Sequence, residues 1–145
     1  MISLYEKKQI RELESLALSE GLEDEPSLMS KAGVAAFELL QQEWPDAESI
    51  CVWCGKGNNA GDGFIVALLA QEAGLAVTIV SLATLQDYKG AALQAAQTCI
   101  DSGLKILPFK ANAINADIIV DAVLGIGVSG EITDTYAEMI EAINE

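Results

Sequence analysis

Hydrophobic and polar positions change their period once along the chain, close to residue 49. Upstream, apolar residues recur every three or four positions: Ile10, Leu13 and Ala17, then Leu28, Met29, Ala32, Ala36, Phe37 and Leu40. That spacing puts each set on one face of a helix. Ser3-x-x-Glu6 has capping-box spacing and predicts a first helix of about 15 residues, ending near Gly21. Pro26 suits the first position of a second helix, which Trp44-Pro45 closes. Gly33 falls mid-helix at a cost of roughly 1 kcal/mol relative to alanine, which marks a point of close packing.

Downstream, short apolar runs alternate with amphipathic segments. Ser49–Cys54 reads as a strand, followed by a loop rich in glycine and asparagine and a helix near Asp62–Ala73 that Gly74 ends. Leu75–Ser81 is a second strand, rich in β-branched residues, and Gln86–Ser102 a helix stopped by Gly103. Leu104–Leu107 is a short third strand limited by Pro108. Asp117–Asp121 is a fourth, apolar enough to be central and buried. Gly125–Glu131 forms a second glycine loop, and Thr135-x-x-Glu138 has capping-box spacing near the start of a final helix towards Asn144.

Such alternation predicts an α/β fold: a Rossmann-like, doubly wound parallel sheet in a three-layer αβα arrangement, with residues 1–145 as one domain. In the strand order 3-2-1-4, the loops after strands one and four are neighbours at the carboxyl ends, where the winding direction reverses and ligands bind. The two glycine loops should therefore face each other across one crevice.

Composition narrows the chemistry. Asp and Glu total 22 against 8 Lys and Arg, a formal charge of −14. That field repels nucleic acid and anionic membrane surfaces. A phosphate ligand would need backbone amides, a helix dipole or a bound cation to supply positive potential locally. No apolar run approaches the roughly 20 residues of a membrane helix, and the N-terminus lacks the order of a secretory signal, so a cytoplasmic protein is expected. With no histidine, proton transfer falls to other groups. Cys51-x-x-Cys54 lies within a strand rather than opening a helix, so it and Cys99 read as reduced core residues.

The loop after strand one, Gly55-x-Gly57-x-x-Ala60, formally fits the dinucleotide fingerprint. The acid expected at the end of strand two is missing from Val80-Ser81-Leu82-Ala83-Thr84, which disfavours an ordinary NAD dehydrogenase. No Gly-Lys-Ser/Thr exists for a Walker loop. Asn58-Asn59-Ala60-Gly61-Asp62-Gly63 is more distinctive. Asparagine tolerates left-handed backbone and its amide ligates cations or ribose hydroxyls. Asp62 reads either as a helix cap or as a ligand contact. Asp121, ending an apolar strand, reads either as a hydrogen-bonded structural acid or as a hard-cation ligand.

These residues resemble a family. Cys54-Gly55-Lys56-Gly57-Asn58-Asn59-Ala60-Gly61-Asp62-Gly63, Ile119-Val120-Asp121-Ala122-Val123-Leu124-Gly125-Ile126-Gly127 and Leu28-Met29-Ser30-Lys31-Ala32-Gly33 are similar to segments of the YjeF N-terminal domains, the NAD(P)HX epimerases. Ala60 stands where that family usually has glycine, and Ile126 where it usually has threonine, which removes a hydroxyl. The resemblance implies repair of damaged nicotinamide cofactor, by interconverting the R and S epimers of hydrated NADH or NADPH (NADHX, NADPHX). An ADP- or ATP-dependent dehydratase, fused or separate, would then consume the S form, and a second copy of the chain is a further expected partner.

Carried over by position, Asn58, Asn59, Ala60, Gly61 and Asp62 would line the substrate. Gly125, Ile126, Gly127, Val128, Ser129, Gly130 and Glu131 would form the opposite wall, and Asn59 with Asp121 would bind potassium. Epimerisation at a ring carbon that bears hydroxyl beside nitrogen requires proton transfer, and Glu131 and Asp62 are the acids nearest the predicted crevice. The resemblance also implies a further central strand after the final helix, followed by an Asp and a Ser, so the sheet is expected to lack its C-terminal strands. The competing reading is a non-catalytic nucleotide-binding, dimerisation or scaffold module of the same fold.

Overall fold

The computed structural model describes residues 4–110, 114–128 and 131–144. The expectation for Ser3 as a capping residue lies outside them, as do Ser129 and Gly130. Two helices lead the chain. The first, α1 (Lys7–Ser19), is closed at its start by a reciprocal pair one turn later than the expected box: Glu6 accepts from the Gln9 backbone, and the Gln9 side chain accepts from Glu6 N. No residue of α1 is buried. The second, α2 (Glu25–Glu43), starts where the Asp24 carboxylate accepts the Ser27 N–H at 2.7 Å, with Pro26 in the first turn. Its buried stripe is Met29, Gly33, Phe37 and Leu40.

Four strands follow: β1 (Ser49–Cys54), β2 (Ala76–Ser81), β3 (Ile106–Pro108) and β4 (Ile118–Ala122). They form one parallel sheet, as the alternation predicted, in the common doubly wound order β3-β2-β1-β4. β1 pairs with β2 from Ser49↔Ala76 to Cys54↔Ser81, and with β4 from Ile50↔Ile118 to Cys54↔Ala122. The chain reaches the near side of β1 through α3 (Asn58–Glu72) and the outer side through α4 (Gly90–Asp101) and β3. It then returns to the far side of β1, so the winding reverses between β1 and β4.

Both faces of β1 are covered, which is why it is apolar at every position from Ile50 to Cys54. Ile50, Val52 and Cys54 join Phe64, Ala67 and Ala70 of α3, Phe37 and Leu40 of α2, and Ala95, Ala96 and Cys99 of α4 in one core. Cys51 and Trp53 point the opposite way, into a smaller core with Val80, Val123 and Met139 of α5 (Asp134–Ile143). Three helices thus lie on one face and α5 on the other, a three-layer α/β arrangement.

Small residues in α3 set how closely the layers approach. A methyl on Gly63 would come 2.6 Å from the Cβ of Ala122, and one on Gly33 of α2 would come 2.5 Å from the Cβ of Ile65. The close packing that Gly33 marked is thus against α3. Gly74 and Gly103 have φ of +90°, the left-handed conformation that ends α3 and α4 at little cost only for glycine.

Five elements differ from the sequence reading. β3 is Ile106–Pro108 rather than Leu104–Leu107, so Pro108 is its last residue, paired with Ser81 on β2, and not the limit beyond it. α3 begins at Asn58, not near Asp62, so the Asn-Asn-Ala-Gly run is its first turn. The predicted Gln86–Ser102 helix is broken into a 3-10 turn (Leu85–Asp87) and α4. The break lets the Tyr88 hydroxyl reach inward to the Gly55 carbonyl at 2.8 Å. The final helix is preceded by Thr133 rather than capped from Thr135. Among the described residues β4 is an outer strand, with Ile119 and Asp121 exposed, rather than a central buried one. The three cysteines are free and buried as expected, and burial raises each thiol, Cys51 up to about 11, so none is a thiolate at neutral pH.

Candidate active site

The loop between β1 and α3 is only Gly55, Lys56 and Gly57, and it is tied down from three sides. Gly55 N donates to the Ala122 carbonyl at 3.1 Å, the Tyr88 hydroxyl donates to the Gly55 carbonyl, and Lys56 N donates to the Tyr136 hydroxyl at 3.2 Å. Tyr88 is itself held 2.7 Å from Ser81 Oγ and edge-on to Phe64, so the anchor is rigid. A side chain at Gly55 would overlap the Val123 carbonyl, so only glycine fits between β1 and the end of β4.

Gly57 precedes the helix without any side chain capping it. Ala60 N donates to the Gly57 carbonyl at 3.2 Å, so it is Asn58 and Asn59, at the first two positions of α3, that present the helix start at the surface, with the positive end of the helix dipole behind them. A cleft of about 650 Å³ opens there. Gly57, Asn58, Asn59 and Asp62 form one wall, Val123 through Val128 the other, with Tyr136 at the floor side of α5 and Arg11 and Glu14 reaching in from α1. Gly125–Val128 is a tight turn closed by Val128 N donating to the Gly125 carbonyl at 3.2 Å. The two glycine loops thus face each other across a single crevice.

Of the residues expected to line substrate, Asn58, Asn59, Asp62, Gly125, Ile126, Gly127 and Val128 stand together in this cleft. Ala60 and Gly61 do not. Because the helix starts early, they turn inward, Ala60 fully buried and Gly61 against Met29 and Ala92. Glu131 is exposed and is not part of the cleft wall. Asp121 also stands outside the wall. Its Oδ1 accepts the Val123 N–H at 3.0 Å, which shapes the turn out of β4.

Asp62 lies in the second turn of α3 and caps nothing. Burial, and to a smaller extent the Glu14 carboxylate, push its pKa up to about 6. A carboxyl group with that value exchanges protons readily near neutral pH. Arg11, Glu14 and Tyr136 belong to the cleft without any signature in their local sequence. Only the i, i+3 spacing of Arg11 and Glu14, which puts them on one helix face, hinted at a joint role.

Among the described residues no cluster of three or more His, Cys, Asp or Glu stands ready for a metal. The cleft wall instead offers the Asn59 side-chain amide, whose oxygen is of the donor type that hard cations take. No helix among the described residues is long and apolar enough to cross a membrane.

Residues 25–145 match the family described as YjeF-related protein N-terminus. The whole chain is 49% identical to part of a bifunctional NAD(P)H-hydrate repair enzyme of Coxiella burnetii, of which it spans 30%. It is 36% identical over 94% of its length to an NAD(P)H-hydrate epimerase of Rhodopirellula baltica, of which it covers 58%. The chain therefore spans less than two thirds of these curated relatives. The crystal structure of the yeast protein ynu0 superposes with a TM-score of 0.84 over 98% of this chain and 65% of that one, at 16% identity, which shows the same fold.

Proposed function

Because the chain belongs to the YjeF-related protein N-terminus family, we propose that its cleft interconverts the R and S epimers of hydrated NADH and NADPH. The observation that carries the reading is the cleft itself: an uncapped helix N-terminus, two facing glycine loops, and one half-buried acid between them. The amides at the start of α3 suit an anionic pyrophosphate. The turn of Gly125–Val128 would hold the nicotinamide half against Asp62.

The substrate carries its hydroxyl on a ring carbon bonded to nitrogen. Protonated Asp62 gives its proton to that hydroxyl, the C–O bond breaks, and water leaves as the ring nitrogen's electron pair forms an iminium. Water then adds to the opposite face and returns a proton to the Asp62 carboxylate. Atoms and charge balance, and no oxidant is consumed. Asp62 takes this part because Glu131 stands outside the cleft wall.

Potassium belongs to the same reading. Asn59 and the free oxygen of Asp121 would be its side-chain ligands, and it would add positive potential in a chain of formal charge −14. A dehydratase, fused or separate, would consume the S epimer.

The test uses mixed epimers of hydrated NADH with an S-specific dehydratase, which leaves the R form behind. Adding the chain should speed loss of the R form, and potassium should increase that rate. An R form that decays only at its spontaneous rate contradicts the proposal.

A further inference from the structure

We propose that Arg11 of α1 is a substrate-binding residue that engages the pyrophosphate of the dinucleotide, opposite the uncapped start of α3; the inference rests on the cleft being the nucleotide site. α1 lies outside the segment matched to the family, residues 25–145. It buries none of its own residues, so the core gives no account of why it rests at the cleft. Yet it delivers two charged side chains there, Arg11 and Glu14.

Arg11 is the one cation among the described residues of the cleft wall. Its Nη2 lies 3.2 Å from where a Cβ on Gly127 would stand, so the guanidinium lies against the β4 turn where glycine leaves room. The ion pairs among the described residues are Lys8–Glu12 and Lys31–Glu23, and Arg11 is in neither. Lys56, the other basic residue near the loop, does not line the cleft.

An acidic protein attracts no dinucleotide at long range. Its local positive potential must come from within the cleft, and two elements there supply it: the first-turn amides of α3, at Asn58 and Asn59, and the Arg11 guanidinium. Amides fix an anion through single N–H bonds, whereas guanidinium offers a planar fork that takes two phosphate oxygens at once. A pyrophosphate spans both kinds of donor. A lone 2′-phosphate would need only one.

The experiment measures binding of ADP-ribose and of 2′-phospho-ADP-ribose by calorimetry to the full chain and to Arg11→Ala and Arg11→Lys. In parallel it measures epimerisation kinetics. Arg11→Ala should weaken both probes about tenfold or more, the loss expected for one charge-assisted contact in a partly solvated cleft. Its loss in kcat/KM should be carried by KM. Arg11→Lys, which keeps the charge without the fork, should fall between. Equal affinity of wild type and Arg11→Ala for ADP-ribose overturns the proposal, as does weakening confined to the 2′-phosphorylated probe. If the wild type binds ADP-ribose through Arg11 but does not epimerise, the inference stands and the proposed reaction falls.

Discussion

Asn59 and Gly125 meet across the cleft: a side chain on Gly125 would begin 3.1 Å from the Asn59 Cβ. The helix start after β1 and the turn after β4 therefore approach closely at this point. Gly125→Ala tests that contact. Gly125 is exposed, so the substitution should leave stability within about 0.5 kcal/mol. The displaced Asn59 should nevertheless lower kcat/KM by about tenfold, since small misplacement of a positioning group is costly. Thermal unfolding and steady-state rates on the same preparation check both halves.

Gly55 sits at the opposite extreme. Its missing side chain leaves room for the Val123 carbonyl, and backbone cannot yield as a flexible side chain does. Gly55→Ala should destabilise the chain by about 3 kcal/mol, the upper range for overpacking, because β1 and the end of β4 must separate. Urea unfolding measures the loss. A destabilisation under about 1 kcal/mol would mean that the junction is loose.

Tyr136→Phe removes the hydroxyl that accepts the Lys56 N–H. That amide is exposed and can turn to water, so the cost should be no more than about 1 kcal/mol. The effect should appear instead as faster amide exchange at Lys56 and Gly57, read by NMR, with exchange in β1 unchanged.

Asp62 gives stability a defined pH dependence. Its pKa rises from 3.8 to about 6 on folding, so the folded chain holds this proton more tightly than the unfolded one. The stabilisation is complete below about pH 4 and is lost as pH rises through about 6. Asp62→Asn has no proton to lose. Relative to wild type it should gain roughly 1 kcal/mol between pH 4 and pH 8, after discounting for solvent screening of a half-buried group. Denaturant melts of both proteins across that range check the sign.

β1 was legible in the sequence because a strand buried on both faces is apolar throughout and stops at a glycine. Parallel pairing followed from the alternation, and the strand order from taking the common doubly wound arrangement. The start of α3 was not legible. Asparagine and glycine disfavour helix locally, and what overrides them is tertiary: Ala60 and Gly61 are small enough to be held among Met29, Ala92 and the sheet. Tyr88 broke a continuous helical pattern for a hydroxyl contact with Gly55, more than thirty residues away in sequence. Of the site, Asn58, Asn59, Asp62 and the turn from Gly125 to Val128 were legible as motifs. Arg11, Glu14 and Tyr136 were not, because their place in the cleft depends on how α1 and α5 rest on the body.

The most direct measurement follows epimerisation of R-NADHX by the wild type, Asp62→Asn and Glu131→Gln side by side. The wild type should accelerate it, Asp62→Asn should lose at least a hundredfold, the scale of general acid–base catalysis, and Glu131→Gln should stay within about twofold. A wild type without activity, or full turnover by Asp62→Asn, would contradict the account.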